Sequence, residues 1–195
     1  MLLVKNEELV GGIIGPFGVL MMVGLVGYTL LRLHGDERSR MFAAIYFILA
    51  QIPFWALFEQ AGSSLNLFTA RLVDREILGW SVPGPVFQSL NAGFIFIFAP
   101  LMAWLWIWLA RRNLNPSTPV KFALGVAMAG LGFLVLVAGM ENSGAMGLTP
   151  VVFIFAIYWV HTMGELMLSP VGLSAVTKLA PARIVGMTMG AWFLY

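Results

Sequence analysis

Residues 158–181 read YWVHTMGELMLSPVGLSAVTKLAP, a mostly apolar stretch with a single carboxylate, Glu165, near its middle. An ionisable side chain at the centre of a bilayer costs about 2.5–3.5 kcal/mol on insertion scales, so such residues usually face water, a partner charge or a proton path. His161, Ser169 and Leu173 are spaced from Glu165 at four-residue steps, which places all four side chains on one face of a helix. The stretch therefore predicts a membrane helix with a functional site at Glu165.

The composition of the whole chain is that of an integral membrane protein. Of its 195 residues, 60% are hydrophobic and only 10% are charged, and the mean hydropathy is +0.90. Soluble domains carry roughly 25% charged residues. The chain has no cysteine, which excludes disulfides and thiolate metal sites. The basic residues lie in short loops between apolar stretches rather than in a stripe, so we expect no nucleic-acid partner.

Apolar stretches separated by short polar segments divide the chain into predicted membrane spans. A span needs about 20 apolar residues as a helix. The five stretches long enough are residues 9–33, 41 to about 67, 86–110, about 120–140 and 150 to about 179, whereas residues 184–195 are too few to cross. We predict a charged loop at residues 32–40, RLHGDERSR, and a polar connector at residues 69–84.

The positive-inside rule orients these spans. If the loops after the first, third and fifth spans share a side, eight of the 11 basic residues lie on that side and three on the other. The eight are Arg32, Arg38, Arg40, Arg111, Arg112, Lys121, Lys178 and Arg183, and the three are Lys5, Arg71 and Arg75. This bias predicts that the eight face the cytoplasm.

Two segments resemble signature segments of a known family. They are GELMLSPVGLSAVTKLAP at residues 164–181 and FWALFEQAGSSLNLF at residues 54–68. Both are similar to segments of the proton-coupled oligopeptide transporters (POT, also called PTR), which belong to the major facilitator superfamily. The resemblance implies an all-α polytopic membrane fold, with a linker transmembrane helix and cytoplasmic loop at 1–40 and a partial C-terminal six-helix bundle at 41–195, comprising helices 7 to 10 and the start of helix 11.

The resemblance also implies a substrate site. Glu165 would bind the amino terminus of a peptide, Asn91 its backbone, and Ser169 would face the same cavity, which Trp55 and Trp192 would line. The residues alone leave simpler alternatives open for each of them. Glu165 could hydrogen-bond a neighbouring helix as a neutral acid, Asn91 could bridge two helices, Ser169 could bond its own helix, and the tryptophans could serve packing.

Proton coupling and gating are assigned to three residues by the same resemblance. Glu59 and Glu165 would take part in proton coupling, because a proton and a peptide ammonium can compete for one negative charge. Glu59 would also close an outer gate, and Leu173 a cytoplasmic gate. Without the family, Glu59 could be a helix-end carboxylate that reaches water, and Leu173 an ordinary core residue.

The resulting hypothesis is proton-coupled symport of di- and tripeptides by alternating access, with this chain as the C-terminal part. Its expected partners are di- and tripeptides, protons, the lipid bilayer and an N-terminal transporter half. A non-transporting membrane fragment or interaction module is the alternative. We expect no enzyme activity, no cofactor and no metal, because the two carboxylates lie on different helices and no nucleophile or ligand cluster accompanies them. The predicted location is the bacterial inner membrane, as a multi-pass protein.

Overall fold

The computed structural model of the chain describes residues 7–144 and 147–195, with side chains from residue 12 onward. This part of the chain is dominated by α-helices. They are α1 (Glu7–Arg32), α2 (Gly35–Ala50), α3 (Ile52–Phe58), α4 (Ser64–Leu72), α5 (Ser89–Arg111), α6 (Thr118–Glu141), α7 (Val152–Leu179) and α8 (Val185–Leu194).

Short non-α segments connect these helices. One turn of 3-10 helix, Glu59–Gly62, joins α3 to α4, and a second, Gly84–Gln88, precedes α5. Two-residue strands form β1 (Val73–Asp74), β2 (Glu76–Ile77), β3 (Trp80–Ser81) and β4 (Thr149–Pro150). β1 pairs in parallel with β4, and β2 pairs antiparallel with β3 around a turn in which Leu78 and Gly79 both have positive φ.

Five segments of the described chain are long and apolar enough to cross a membrane, as predicted. They are Gly12–Arg32, Gly35–Leu72, Gly84–Arg111, Thr118–Glu141 and Val152–Leu179. The sixth apolar segment forms α8, which has only 10 residues. The spans found from the sequence are therefore confirmed in number and order.

The prediction of a charged loop at residues 32–40 is wrong for most of its length. α1 ends at Arg32 and α2 already begins at Gly35, so the charged residues form the first turns of a helix. Gly35 has φ +54, a left-handed conformation that glycine adopts without strain. Asp36 and Glu37 lie in the first turn, where the helix dipole favours negative charge.

The second span is also more divided than the sequence indicated. α2 ends at Ala50 and α3 begins at Ile52, with Pro53 in the first turn of α3. A further interruption follows at Glu59, where the 3-10 turn replaces α-helix. The carboxylate of Glu59 thus lies on an irregular turn and not within a continuous helix.

The chain divides into two compact units. The first contains Met1–Ile52 and Gly172–Tyr195, and the second contains Pro53–Val171. These boundaries differ from the division at residue 40 that the sequence suggested, and the assignment of 1–40 as a linker stays a prediction.

In the first unit, polar side chains bond the backbones of neighbouring helices. The buried side chain of Gln51 donates from Nε2 to the carbonyl oxygen of Trp192 in α8 at 2.8 Å. The hydroxyl of Tyr195 donates to the carbonyl of Gly18 in α1. Leu25 and Met41 are fully buried in this unit. Both hydrogen bonds anchor the C-terminal end of α8.

An exposed ion pair lies at the end of this unit where α7 leads into α8. The guanidinium of Arg183 donates to Glu37 with an Nη2–Oε2 distance of 2.6 Å and to the Tyr28 hydroxyl at 3.0 Å. Arg40 donates to the carbonyl of Lys178 nearby. The hydrogen bond to Glu37, followed by that to Tyr28, raises the pKa of Arg183 above its ordinary value.

In the second unit, α6 and α7 pack closely through glycines. A Cβ on Gly125 would lie 2.8 Å from the carbonyl oxygen of Gly164, and a Cβ on Gly164 would lie 2.8 Å from the carbonyl oxygen of Gly125. Further along the interface, a Cβ on Gly132 would collide with the ring of His161, and a Cβ on Gly139 would collide with the side chain of Phe153. Gly125, Gly132 and Gly139 recur every seven residues, which brings these three glycines to one side of α6. This contact fixes the backbone of α7 next to Glu165.

The hydrophobic core of the second unit includes Val73 of strand β1. Its buried members are Leu65, Val73, Val82, Phe87, Leu136, Ile154, Ile157 and Tyr158.

Candidate functional site

Glu165 and Asn91 are brought together by α7 and α5. The amide nitrogen Nδ2 of Asn91 donates to Oε2 of Glu165 at 2.9 Å, and both side chains are only partly buried. The two residues are 74 positions apart in the chain. A carboxylate accepting an amide hydrogen bond is satisfied on one oxygen and keeps acceptor capacity on both. Two predicted substrate residues thus form one polar centre within the apolar spans.

Thr162 completes this centre. Its side chain is fully buried, its Oγ1 accepts from Nδ2 of Asn91 at 3.1 Å, and it donates to the carbonyl of Tyr158 at 2.7 Å. Thr162 was not among the residues predicted from the sequence. Its spacing of three residues from Glu165 was the available signal, because side chains three apart on a helix are neighbours.

Glu59 is close enough to Glu165 for the two carboxylates to interact electrostatically. It is the first residue of the 3-10 turn after α3 and its side chain is exposed. Among the described residues it makes no hydrogen bond and no ion pair. Like charges that share a site cannot both be ionised without cost. The proton-coupling roles of Glu59 and Glu165 stay predictions.

Trp55 and Ser169 lie in the second unit, as Glu165 and Asn91 do. Trp55 is half-buried in α3, with its ring edge-on to Phe54 at 5.2 Å and to Phe58 at 5.4 Å between centroids. Ser169 is half-buried in α7, one turn beyond Glu165, and makes no hydrogen bond within the described chain. The expected alternative, a bond from Ser169 to its own helix, is not formed. Ser169 keeps its donor and acceptor capacity free.

His161 lies one turn before Glu165 but bonds a different helix. Its Nε2 lies 3.0 Å from the carbonyl oxygen of Ala129 in α6, and the side chain is 2% exposed. A Cβ on Gly132 would come within 2.4 Å of this ring, so only glycine leaves room for it. His161 is therefore a bonded interior histidine whose partner is α6, while Glu165 bonds α5.

Trp192 and Leu173 lie in the first unit. Trp192 is 4% exposed in α8, and its carbonyl accepts from Gln51 as described above. Leu173 is half-buried, and its carbonyl accepts from the hydroxyl of Thr177 at 3.0 Å. The assignment of Trp192 to the substrate pocket and of Leu173 to a gate stays a prediction.

The arrangement of apolar spans around an Asn–Glu centre agrees with the results of comparisons with known proteins. The profile of the POT family matches residues 21–195. The chain belongs to the POT family. The resemblance of its two signature segments is thus confirmed, and so is the fold class, an all-α polytopic membrane bundle of the major facilitator type.

Bacterial POT relatives match the chain over most of its length. The peptide transporter YePEPT of Yersinia enterocolitica is 36% identical over 169 residues, which are 85% of this chain and 33% of that protein. Dipeptide and tripeptide permease A of Erwinia pyrifoliae is 36% identical over 192 residues, which are 98% of this chain and 38% of that protein. The chain spans little more than a third of the length of these relatives.

Solved POT structures have the same fold. A crystal structure of peptide transporter POT in complex with sulfate superposes with a TM-score of 0.80 at 38% identity, over 95% of this chain and 38% of that one. A POT family transporter in complex with 5-aminolevulinic acid gives 0.83 at 29% identity, over 96% and 39%. The five apolar spans of the described chain and the bacterial relatives support the predicted location, a multi-pass protein of the bacterial inner membrane.

Proposed function

We propose that the chain forms the C-terminal part of a proton-coupled symporter of di- and tripeptides. The observation that carries this proposal is the hydrogen bond of 2.9 Å between Asn91 and Glu165, which creates a polar centre between two membrane-spanning helices. The names of several relatives, dipeptide and tripeptide permeases, support the substrate class.

The chemistry of a peptide terminus fits this centre. A peptide ammonium is a cation with three hydrogen-bond donors, and it binds best to hydrogen-bond acceptors that carry negative charge. Glu165 offers such a charge, and the Oδ1 atom of Asn91 offers a neutral acceptor beside it. Trp55 offers a flat apolar surface that suits varied side chains without specific hydrogen bonds. One centre can therefore accept many short peptides by their common terminus.

The electrostatic interaction between Glu59 and Glu165 supports a route to proton coupling. Two ionised carboxylates repel each other, and either a proton or a bound ammonium relieves that repulsion. A state with both sites empty and ionised is then disfavoured relative to states that carry a proton or a peptide. In an alternating-access cycle, this would link the movement of peptide to that of protons.

The test is uptake of labelled Ala-Ala into proteoliposomes driven by an inward proton gradient. The chain is reconstituted alone and together with the N-terminal half of a POT relative such as YePEPT. We expect uptake with the pair and loss of accumulation in the Glu165→Gln variant of the pair. Glu141→Gln, which alters an exposed carboxylate at the end of α6, is the matched control and should keep uptake.

Absence of uptake from a folded and associated pair would refute the proposal and favour a non-transporting interaction module. Uptake by Glu165→Gln at the wild-type level would refute the assignment of the site.

A further inference from the structure

Thr162 has a donor and acceptor pattern that determines how the neighbouring amide is oriented. A threonine hydroxyl has one hydrogen and two lone pairs. That hydrogen is directed to the carbonyl oxygen of Tyr158 at 2.7 Å, one turn back in α7. Toward α5 the hydroxyl can therefore only accept a hydrogen bond.

This restriction acts on Asn91. If the amide were turned by 180°, its Oδ1 would face the hydroxyl oxygen of Thr162, and two acceptors would meet without a hydrogen between them. With Nδ2 toward α7, one hydrogen goes to Thr162 at 3.1 Å and the other to Oε2 of Glu165 at 2.9 Å. Both donors of the amide are then used by α7, and within the described chain Oδ1 makes no hydrogen bond.

We propose that Thr162 is a positioning residue of the substrate site, which holds the amide of Asn91 so that its Oδ1 is presented to the substrate beside the carboxylate of Glu165. The proposal rests on the proposed function and deepens it. The ligand group that this pair of acceptors recognises is a donor-rich cation, such as the ammonium group of a peptide. A hydroxyl that is fully buried and touches no substrate thus acts together with Glu165 to set the orientation of the Asn91 amide.

Removing the hydroxyl should weaken peptide binding without removing any group that contacts the peptide. Thr162→Val keeps the shape of the side chain but loses both hydrogen bonds of the hydroxyl, so the amide of Asn91 is held by Glu165 alone and its orientation is less restricted. A hydrogen bond is worth about 0.5–1.5 kcal/mol net, which corresponds to about a twofold to tenfold loss of affinity. Thr162→Ser keeps the hydroxyl and should retain the wild-type affinity.

The functional test uses the transporter assembled from this chain and the N-terminal half of a POT relative. We expect Thr162→Val to raise the KM for Ala-Ala by about twofold to tenfold and Thr162→Ser to leave it unchanged. In an Asn91→Ala background, Thr162→Val should cause no further change, because the amide through which it acts is gone. An equal loss with and without Asn91, or an equal loss in the serine variant, would overturn the proposal.

A measurement on the chain alone separates this inference from the proposed function. The chain is labelled with nitrogen-15 at asparagine, and the exchange of the two Nδ2 hydrogens of Asn91 with solvent is followed by NMR. We expect both hydrogens to be protected in the wild type and in Thr162→Ser, and only one in Thr162→Val. Fast exchange of either hydrogen in the wild type, or unchanged protection in Thr162→Val, would overturn the proposal whatever the transport result. The remaining outcome is that the Nδ2 hydrogens of Asn91 are protected as expected but the assembled pair takes up no Ala-Ala. That outcome would refute the proposed function, and with it the substrate role of Oδ1.

Discussion

Substituting Gly164 by alanine should force α6 and α7 apart beside the candidate site. The added Cβ would lie 2.8 Å from the carbonyl oxygen of Gly125 and 3.0 Å from the Cβ of Met128. Ordinary contacts begin at 3.4 Å, so the nearest atoms must separate by about 0.6 Å. The obstacle is a backbone carbonyl of a helix and not the end of a flexible side chain. The strain cannot be relieved by a change of rotamer.

The size of the effect follows from other overpacked interiors. Inserting a methyl group into a close-packed contact costs about 1–3 kcal/mol. For a chain of about 195 residues, each kcal/mol lowers the unfolding midpoint by about 2–4 °C. We therefore expect Gly164→Ala to lower the midpoint by roughly 2–12 °C.

The assay is thermal unfolding of the purified chain in detergent micelles, followed by tryptophan fluorescence. Gly130→Ala is the matched control, because Gly130 lies in α6 and a Cβ there would meet no atom within 4 Å. It should leave the midpoint unchanged or raise it slightly. Equal midpoints for Gly164→Ala and Gly130→Ala would refute the account of the α6–α7 contact.

Three further predictions concern other parts of the chain. Glu59→Gln in the assembled transporter should abolish concentrative Ala-Ala uptake but keep peptide exchange, which carries no net proton flux, and an unchanged pH dependence of uptake would contradict its coupling role. Arg183→Gln should lower the unfolding midpoint only slightly, because its ion pair with Glu37 is exposed to solvent. The difference should be smaller still at 1 M salt, which screens the pair, and a large drop that salt does not alter would contradict this. Gly79→Ala should destabilise the β2–β3 turn by about 1 kcal/mol, because φ there is +79 in open space, and a stabilised variant would show that the turn can relax.

The membrane spans were predictable because hydropathy over some 20 residues is a strong signal. Glu165 was also predictable, since a carboxylate in an apolar helix requires a partner. Its partner on α5 is less predictable: only the family resemblance indicates Asn91, and no pattern in the residues alone pairs positions 91 and 165. The pairing depends on how α5 and α7 pack, which is tertiary information.

The errors of the sequence reading have physical causes of the same kind. The charges of RLHGDERSR favour a loop because charges are rare inside a membrane, but a helix can begin in water before it enters the bilayer, and α2 begins at Gly35. The four-residue spacing puts His161 and Glu165 on one face of α7, yet His161 bonds α6 and Glu165 bonds α5. A single face of α7 is wide enough to contact two neighbours, and helical periodicity does not tell which neighbour a residue meets.

The seven-residue repeat of glycines in α6 restricts which motions the second unit can make. Sliding one helix past the other by one turn, about 5.4 Å, would move Gly125 away from the carbonyl oxygen of Gly164 and bring a larger side chain against it. Helices α6 and α7 should therefore move as one rigid body over this contact, and shear between them is blocked. Any rearrangement that opens or closes the site around Glu165 must then take place at its other boundaries. The irregular turn at Glu59, with its short 3-10 segment, is a mechanically softer place for a hinge than the glycine contact.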